Sequence, residues 1–296
     1  MSTEQHIQIP ADPSRLPMTL PRLHEKKRLG EPVVMVTAYD YPSARAAEAA
    51  GVDLVLVGDS GAMTVLGYPS TVAVEVDEML VLAKATRRGL STPFLVVDLP
   101  FGSYELSDEQ AIATALRFVK EAGADAVKLE GGSERSVARA RAIVSAGIPV
   151  MGHVGLTPQT STALGGYRAQ GRTGQAAARI AREALALQDA GCFSIVFEAM
   201  PSAVAAEIMP QMDAVVIGIG AGPSTDGQVL VFHDLLGIRH GLGARFVKRY
   251  ANLQDEMDAG VAAFAADVRA RRYPGPEHDY SIDPGELERF RTARTR

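Results

Sequence analysis

The sequence is short of the features that mark several special protein classes. It holds one cysteine, Cys192, so neither an internal disulfide nor a zinc-type cysteine cluster can form. It has no uninterrupted apolar run of about 18 residues, the length a membrane-spanning helix needs. The opening stretch MSTEQHIQIPADPSRLP is polar and proline-bearing and offers no apolar core for a signal peptide, so the expected location is cytoplasmic. Acidic side chains outnumber basic ones, 35 to 30, and the formal net charge is -5. No general basic surface therefore invites nucleic acid or an anionic membrane, and neither is expected as a partner. The basic residues Arg289, Arg291, Arg294 and Arg296 read as a solvated, frayed end. No GxxxxGK phosphate loop occurs, and GIGAG at 218–222 lacks the GxGxxG spacing of a dinucleotide site. That stretch is read either as a close passage of backbone past a ligand or as a plain tight turn.

What remains is an ordinary globular composition, 47% hydrophobic and 22% charged over 296 residues. Short apolar runs recur at 33–37, 54–57, 94–97, 126–129, 149–150, 194–197, 214–219 and 229–232. Most are apolar on both faces, as strands buried in a parallel sheet are. Amphipathic helical patterns separate them at 41–50, 75–88, 108–122, 133–146, 174–190 and 202–212. Several end at a glycine (Gly51, Gly89, Gly123, Gly147, Gly191) expected to supply a left-handed stop before the next strand. About eight strand–helix units without a two-half division favour an α/β fold of the (β/α)₈ barrel type over a doubly wound sheet. Residues 19–29 predict an extra N-terminal helix across the barrel bottom, and 254–272 a last helix before a Pro/Gly-rich tail. Residues 1–18 are expected as a flexible tail, and 19–296 as one domain.

The ends of these strands break the apolar pattern. LVLVGDS ends in Asp59 and Ser60, FLVVDLP in Asp98, and SIVFEA in Glu198. AVKLEGG places Lys128 and Glu130 two residues apart on one strand face, and MGHVG supplies His153. A carboxylate at the end of a buried strand costs several kcal/mol unless a partner or metal compensates. One such acid is equally well explained as a helix N-cap. Four from four strands, with a lysine and a histidine among them, converge on the face where barrel active sites lie. His153 remains readable as a core histidine. Oxygen ligands without thiolates point to a hard cation, Mg²⁺ or Mn²⁺, with Asp59 and Asp98 as direct ligands and Glu130 supporting them. Cys192 falls at a helix-to-strand junction on the barrel bottom, a place for a small buried residue and not a nucleophile.

The segments MVTAYDYPSA, LVGDSGAMTVLGY, VVDLPFGSYE, AVKLEGG, GHVGLTPQ, GGYRAQGR and VIGIGAGPSTDGQVLVFHD closely resemble the ketopantoate hydroxymethyltransferase (3-methyl-2-oxobutanoate hydroxymethyltransferase) family. The likeness runs from about Thr19 to His278, with the motifs in order. It implies a barrel of the phosphoenolpyruvate/pyruvate type, dependence on Mg²⁺, and 5,10-methylenetetrahydrofolate as one-carbon donor to α-ketoisovalerate in pantothenate synthesis. It also implies a homodecamer. Carried over by position, Asp59, Asp98 and Glu130 match the metal-binding carboxylates. Asp59, Ser60, Asp98, Lys128 and His153 match residues around the keto acid, and Glu198 matches the general base. Ala199 stands where a bulkier residue is expected after that base. Two other readings remain. One is an isocitrate-lyase-like carbon–carbon lyase, which needs an acid cysteine at the mouth. The other is a non-catalytic keto-acid-binding barrel, whose signature is loss of these acids.

Overall fold

A computed structural model describes residues 15–241 and 243–294. Most of the tail expected at 1–18 therefore lies outside the described residues, as does Arg296. The chain groups into two compact units. One runs up to Leu235 and includes Gly241–Lys248; the other joins Leu236–His240 to the chain from Arg249 onward.

The first unit is built on eight parallel strands. They are β1 (Val33–Thr37), β2 (Leu54–Val57), β3 (Phe94–Asp98), β4 (Ala126–Lys128), β5 (Val150–Gly155), β6 (Ser194–Glu198), β7 (Val215–Ile219) and β8 (Gly227–Leu230). They pair in sequence order, and β8 closes on β1. The closed (β/α)₈ barrel expected from the eight apolar runs is the fold observed. The last run differs. Expected at 229–232, the strand ends at Leu230, because the Phe232 N–H is taken by Thr37 Oγ1 at 2.8 Å and the chain turns into a short helix.

The helices in chain order are α1 (Leu20–Leu29), α2 (Tyr41–Ala50), α3 (Gly61–Thr64), α4 (Val76–Gly89), α5 (Asp108–Ala122), α6 (Glu134–Ser145), α7 (Gly174–Asp189), α8 (Ser202–Ile208), α9 (Phe232–Leu236), α10 (Leu253–Arg269) and α11 (Pro284–Arg294). Helix α5 shows why they form where they do. Ser107 accepts from the Gln110 N–H at its start, and Asp108 and Glu109 sit in the positive first turn. Ala111, Thr114, Ala115, Phe118 and Ala122 are buried at helical spacing, and Gly123 closes the helix in the left-handed region at φ 68°.

Alternation along the strands sorts side chains into two cores. Val55, Val57, Leu95, Val97, Val127 and Ile195 point outward against the helices. Met35, Leu54, Leu56, Phe94, Val96, Ala126, Met151, Val196, Val215 and Ile217 fill the barrel interior. Helix α1 covers the amino-terminal end of that interior, as its position predicted. Leu23 is buried in the inner cluster, and Lys26 and Lys27 pair with Asp53 (3.1 Å) and Asp226 (2.7 Å), which precede β2 and β8. With the bottom filled, the barrel interior is open among the described residues at its carboxyl-terminal mouth.

In the second unit, α10 has no buried residue, and Met257, Val261, Phe264 and Val268 are exposed along it. The arginines expected to fray lie, as far as they are described, on α11, where Arg289 pairs with Glu286 at 2.7 Å.

One of the five glycines expected to stop a helix plays a different part. Gly51 and Gly123 are left-handed caps, and Gly147 and Gly191 take positive φ just past their helices. Gly89 does neither. It is the last residue of α4, where an added Cβ would sit 2.6 Å from Ala44 Cβ and 3.0 Å from the Tyr41 carbonyl oxygen, so it is there to let α4 approach α2. Gly→Ala in a free helix interior stabilises by about 1 kcal/mol. Gly89→Ala is predicted to do the opposite, destabilising by about 1–3 kcal/mol through overpacking. Denaturant unfolding checks the sign, and a gain in stability would contradict the close-approach reading.

Candidate active site at the carboxyl ends of the strands

Following the inward-facing positions up each strand, the residues change from apolar to ionisable in one step. Strand β3 runs Phe94, Val96, Asp98; β4 runs Ala126, Lys128 and on to Glu130; β5 runs Met151, His153; β6 runs Ser194, Val196, Glu198. The register sets Asp98 beside Lys128, and Glu198 beside Gly155 two residues beyond His153. All seven residues singled out in the sequence (Asp59, Ser60, Asp98, Lys128, Glu130, His153 and Glu198) line one cavity of about 180 Å³ at the mouth. A roomier cleft of about 790 Å³ lies along β8 and β1, but its Lys27 and Asp226 are already paired with each other.

The acids are not spent on capping helices. Helix α5 is capped by Ser107 and α6 by Ser133, while α8 opens at Pro201. They are held by one another and by the lysine instead. Lys128 Nζ lies 2.5 Å from Asp98 Oδ1 and 4.0 Å from Glu130 Oε1. Asp98 Oδ2 accepts from the Asp59 N–H at 3.0 Å. His153 stands between two acids, Nδ1 3.6 Å from Glu130 Oε1 and Nε2 3.2 Å from Glu198 Oε2. Neither contact is directed as a hydrogen bond, so both buried ring nitrogens lack a hydrogen-bond partner. Such nitrogens cost free energy unless a ligand meets them. Ser60 Oγ bonds to Tyr39 Oη at 2.8 Å, and the Tyr39 ring packs on His233 with centroids 5.5 Å apart. Directly after Glu198, Ala199 takes φ 46°, a left-handed conformation that costs a non-glycine residue about 1–2 kcal/mol. Its N–H bonds to Ile219 O and its carbonyl accepts from Gln170 N, both at 2.8 Å, and these bonds hold the turn that follows the acid.

Charge balance is the dominant feature. Burial opposes the charge on Lys128, but Asp98, Glu130 and Asp59 outweigh it and hold the ammonium above its ordinary range. Burial, with Asp98 beside it, pushes Asp59 up to about 7 from 3.8. Burial and the nearby Asp59 push Glu130 well above the carboxylate range. One ammonium thus faces Asp98, Asp59 and Glu130, all nearly inaccessible. A divalent cation would supply positive charge against these acids, so the donor set fits one. Among the described residues no group of three or more His, Cys, Asp or Glu side chains is arranged as a metal cluster; oxygen donors without thiolates are the kind a hard cation such as Mg²⁺ takes.

Three residues that the sequence reading passed over tie the site together. Tyr39, Tyr104 and Gln159 lie within the quoted motifs, yet each comes from a segment after a strand. Spacing gives no signal for such positions. Cys192 lies before β6, at the end away from the mouth, and burial pushes its thiol up to about 12. The mouth thus lacks the cysteine acid of the lyase reading.

The fold and the mouth together define a (β/α)₈-barrel enzyme that acts on a small molecule at the carboxyl ends of its strands. The chain belongs to the ketopantoate hydroxymethyltransferase family, whose profile it matches over residues 17–276. It is 49% identical to the mitochondrial 3-methyl-2-oxobutanoate hydroxymethyltransferase 1 of Arabidopsis thaliana, over 93% of this chain and 81% of that protein. It is 48% identical to the 3-methyl-2-oxobutanoate hydroxymethyltransferase of Deinococcus radiodurans, over 95% of this chain and 99% of that protein. Among solved structures, the phosphoenolpyruvate phosphomutase of Streptomyces platensis superposes with a TM-score of 0.55 at 14% identity, covering 92% of this chain and 98% of that one. That likeness shows the fold. No helix of the described residues is long and apolar enough to cross a membrane.

The raised carboxyl of Asp59 has a thermodynamic consequence. Between pH 3.8 and about 7 the folded chain keeps a proton that the unfolded chain has released. Its contribution favours the fold at low pH and is lost as pH rises through about 7. In metal-free protein, Asp59→Asn is expected to flatten this fall and to leave the variant more stable than wild type at pH 8. Denaturant midpoints from pH 4 to 8 check it; parallel profiles for the two proteins would show that Asp59 is not raised.

Proposed function

We propose that this chain transfers a hydroxymethyl group from 5,10-methylenetetrahydrofolate to 3-methyl-2-oxobutanoate, forming 2-dehydropantoate for pantothenate synthesis. The observation that carries the reading is the division of the buried charges. Lys128, Asp98, Asp59 and Glu130 form one group, while Glu198 stands apart beside His153 Nε2 at 3.2 Å. A keto acid needs its carboxylate held and its C3 proton removed, and these are different tasks for different residues.

In this reading the Lys128 ammonium and the Ser60 hydroxyl hold the substrate carboxylate, and an unpartnered His153 nitrogen donates to a substrate oxygen. Asp59 and Asp98, with Glu130 behind them, would hold Mg²⁺, which supplies Lewis-acid stabilisation of negative charge on the keto oxygen. Glu198 accepts the C3 proton. The electron pair left at C3 forms the new carbon–carbon bond to the one-carbon unit of the folate. Both carbon–nitrogen bonds of the folate methylene bridge break, one as the bridge opens before C3 adds and one as water supplies the hydroxyl oxygen, and each nitrogen keeps its electron pair and takes up a proton. The walls of the mouth, Val196, Ile219 and Val229, limit water around the reacting carbon. Assembly as a homodecamer completes the reading; the exposed apolar residues Met257, Val261 and Phe264 of α10 are surface that such assembly would cover.

Glu198→Gln keeps shape and removes the base. With 3-methyl-2-oxobutanoate and Mg²⁺ alone, C3–H exchange with D₂O is expected to fall by about 10²–10⁴-fold while binding of the keto acid stays within a few-fold. Proton NMR follows the exchange. Wild-type exchange rates in the variant would remove Glu198 from the base role.

A further inference from the structure

Gln159 lies on the loop after β5, nearly inaccessible, and its side-chain amide and backbone N–H are all hydrogen-bonded. Its side-chain Nε2 donates to Asp59 Oδ2 at 3.1 Å and to the Leu99 carbonyl at 2.9 Å. Its Oε1 accepts from Tyr104 Oη at 2.6 Å. Its backbone N–H donates to Glu130 Oε2 at 3.0 Å. One loop residue thus grips an oxygen of each of two acids that come from different strands.

The direction of these bonds is fixed by chemistry. Tyr104 Oη faces the Glu130 N–H at 3.3 Å and must accept there. A phenol has one proton, so that proton goes to Gln159 Oε1. The amide NH₂ then faces Asp59 and Leu99, both acceptors; the flipped amide would set oxygen against oxygen at both. The chain of bonds from the Glu130 backbone through Tyr104 and Gln159 ends at Asp59 Oδ2. Oδ1 of Asp59 carries no side-chain hydrogen bond among the described residues.

We infer that Gln159 and Tyr104 act as a positioning relay that presents Asp59 Oδ1 to the mouth and thereby sets the affinity for a divalent cation there. The inference rests on the metal-assisted reading above, and it concerns residues that touch no reacting atom. Partners of this kind are commonly worth about 10–100-fold in metal affinity.

The test uses the full chain and Mn²⁺ as probe, with free Mn²⁺ read by electron paramagnetic resonance. Gln159→Met keeps the volume and removes the bonds; Tyr104→Phe leaves Gln159 in place and removes the group that orients it. Both are expected to weaken Mn²⁺ binding, Gln159→Met by about 10–100-fold. Their double variant is expected to be no weaker than Gln159→Met alone, because both break one relay. At saturating Mn²⁺, kcat of each should return to within a few-fold of wild type. A residue that only supports the fold would lower the melting temperature without this selective loss and rescue. Wild-type Mn²⁺ affinity in the folded variants, or fully additive losses, would overturn the relay. If Gln159→Met fails to fold, Tyr104→Phe alone decides by the same measure. A wild type that binds Mn²⁺ and makes 2-dehydropantoate beside variants of unchanged affinity sinks the relay only; a wild type that does neither sinks the reading beneath it.

Discussion

The structure depends on a charge imbalance kept out of water. Lys128 is buried against Asp98 at 2.5 Å, and Asp59 and Glu130 press on the same ammonium with no second cation among them. A buried ion pair is a weak source of stability, since desolvation takes back most of its Coulomb energy. Here it also leaves two acids uncompensated, which is a worse bargain for folding than an apolar mouth. The rest of the barrel tolerates it because the interior below is apolar and closed by α1, and because the loops above tie each acid to backbone or amide donors.

The same imbalance separates the roles of the acids. Asp59 and Glu130 are pushed toward protonation by burial and by neighbouring charge. Asp98 is fastened by Lys128 on one oxygen and the Asp59 N–H on the other. Glu198 lies on β6, across His153 from this group, and is partly open to the cavity. In the proposed reading, one mouth holds negative charge in one place and accepts a proton in another, as removal of a proton next to a keto group requires.

Much of this was legible in the sequence because strand periodicity is strict. Phe94, Val96 and Asp98 share a face whatever the rest of the chain does, and the same holds for Ala126, Lys128 and Glu130. Eight apolar runs and a parallel pairing rule then force the polar strand ends to one mouth. The residues that were not legible belong to loops, where no period links position to direction. Gln159, Tyr104 and Tyr39 reach the site through the path of the chain after β5, β3 and β1. Gly89 misled for a related reason. A glycine before a strand suits a cap, and only the distance to Ala44 shows that helix packing, not the turn, requires it. The end of β8 is set by Thr37, about two hundred residues earlier, through a bond no local pattern contains.

The central claim is that Asp59, Asp98 and Glu130 hold a divalent cation at the mouth against the burial and neighbouring charge that push Asp59 and Glu130 toward protonation. Calorimetric titration of Mg²⁺ into metal-free protein near pH 6.5, in two buffers of different ionisation enthalpy, measures this directly. The account predicts binding of about one ion per chain with release of protons, a release that is smaller in Asp59→Asn, where only Glu130 is left to supply it. Absence of binding, or binding with no proton released, would contradict it.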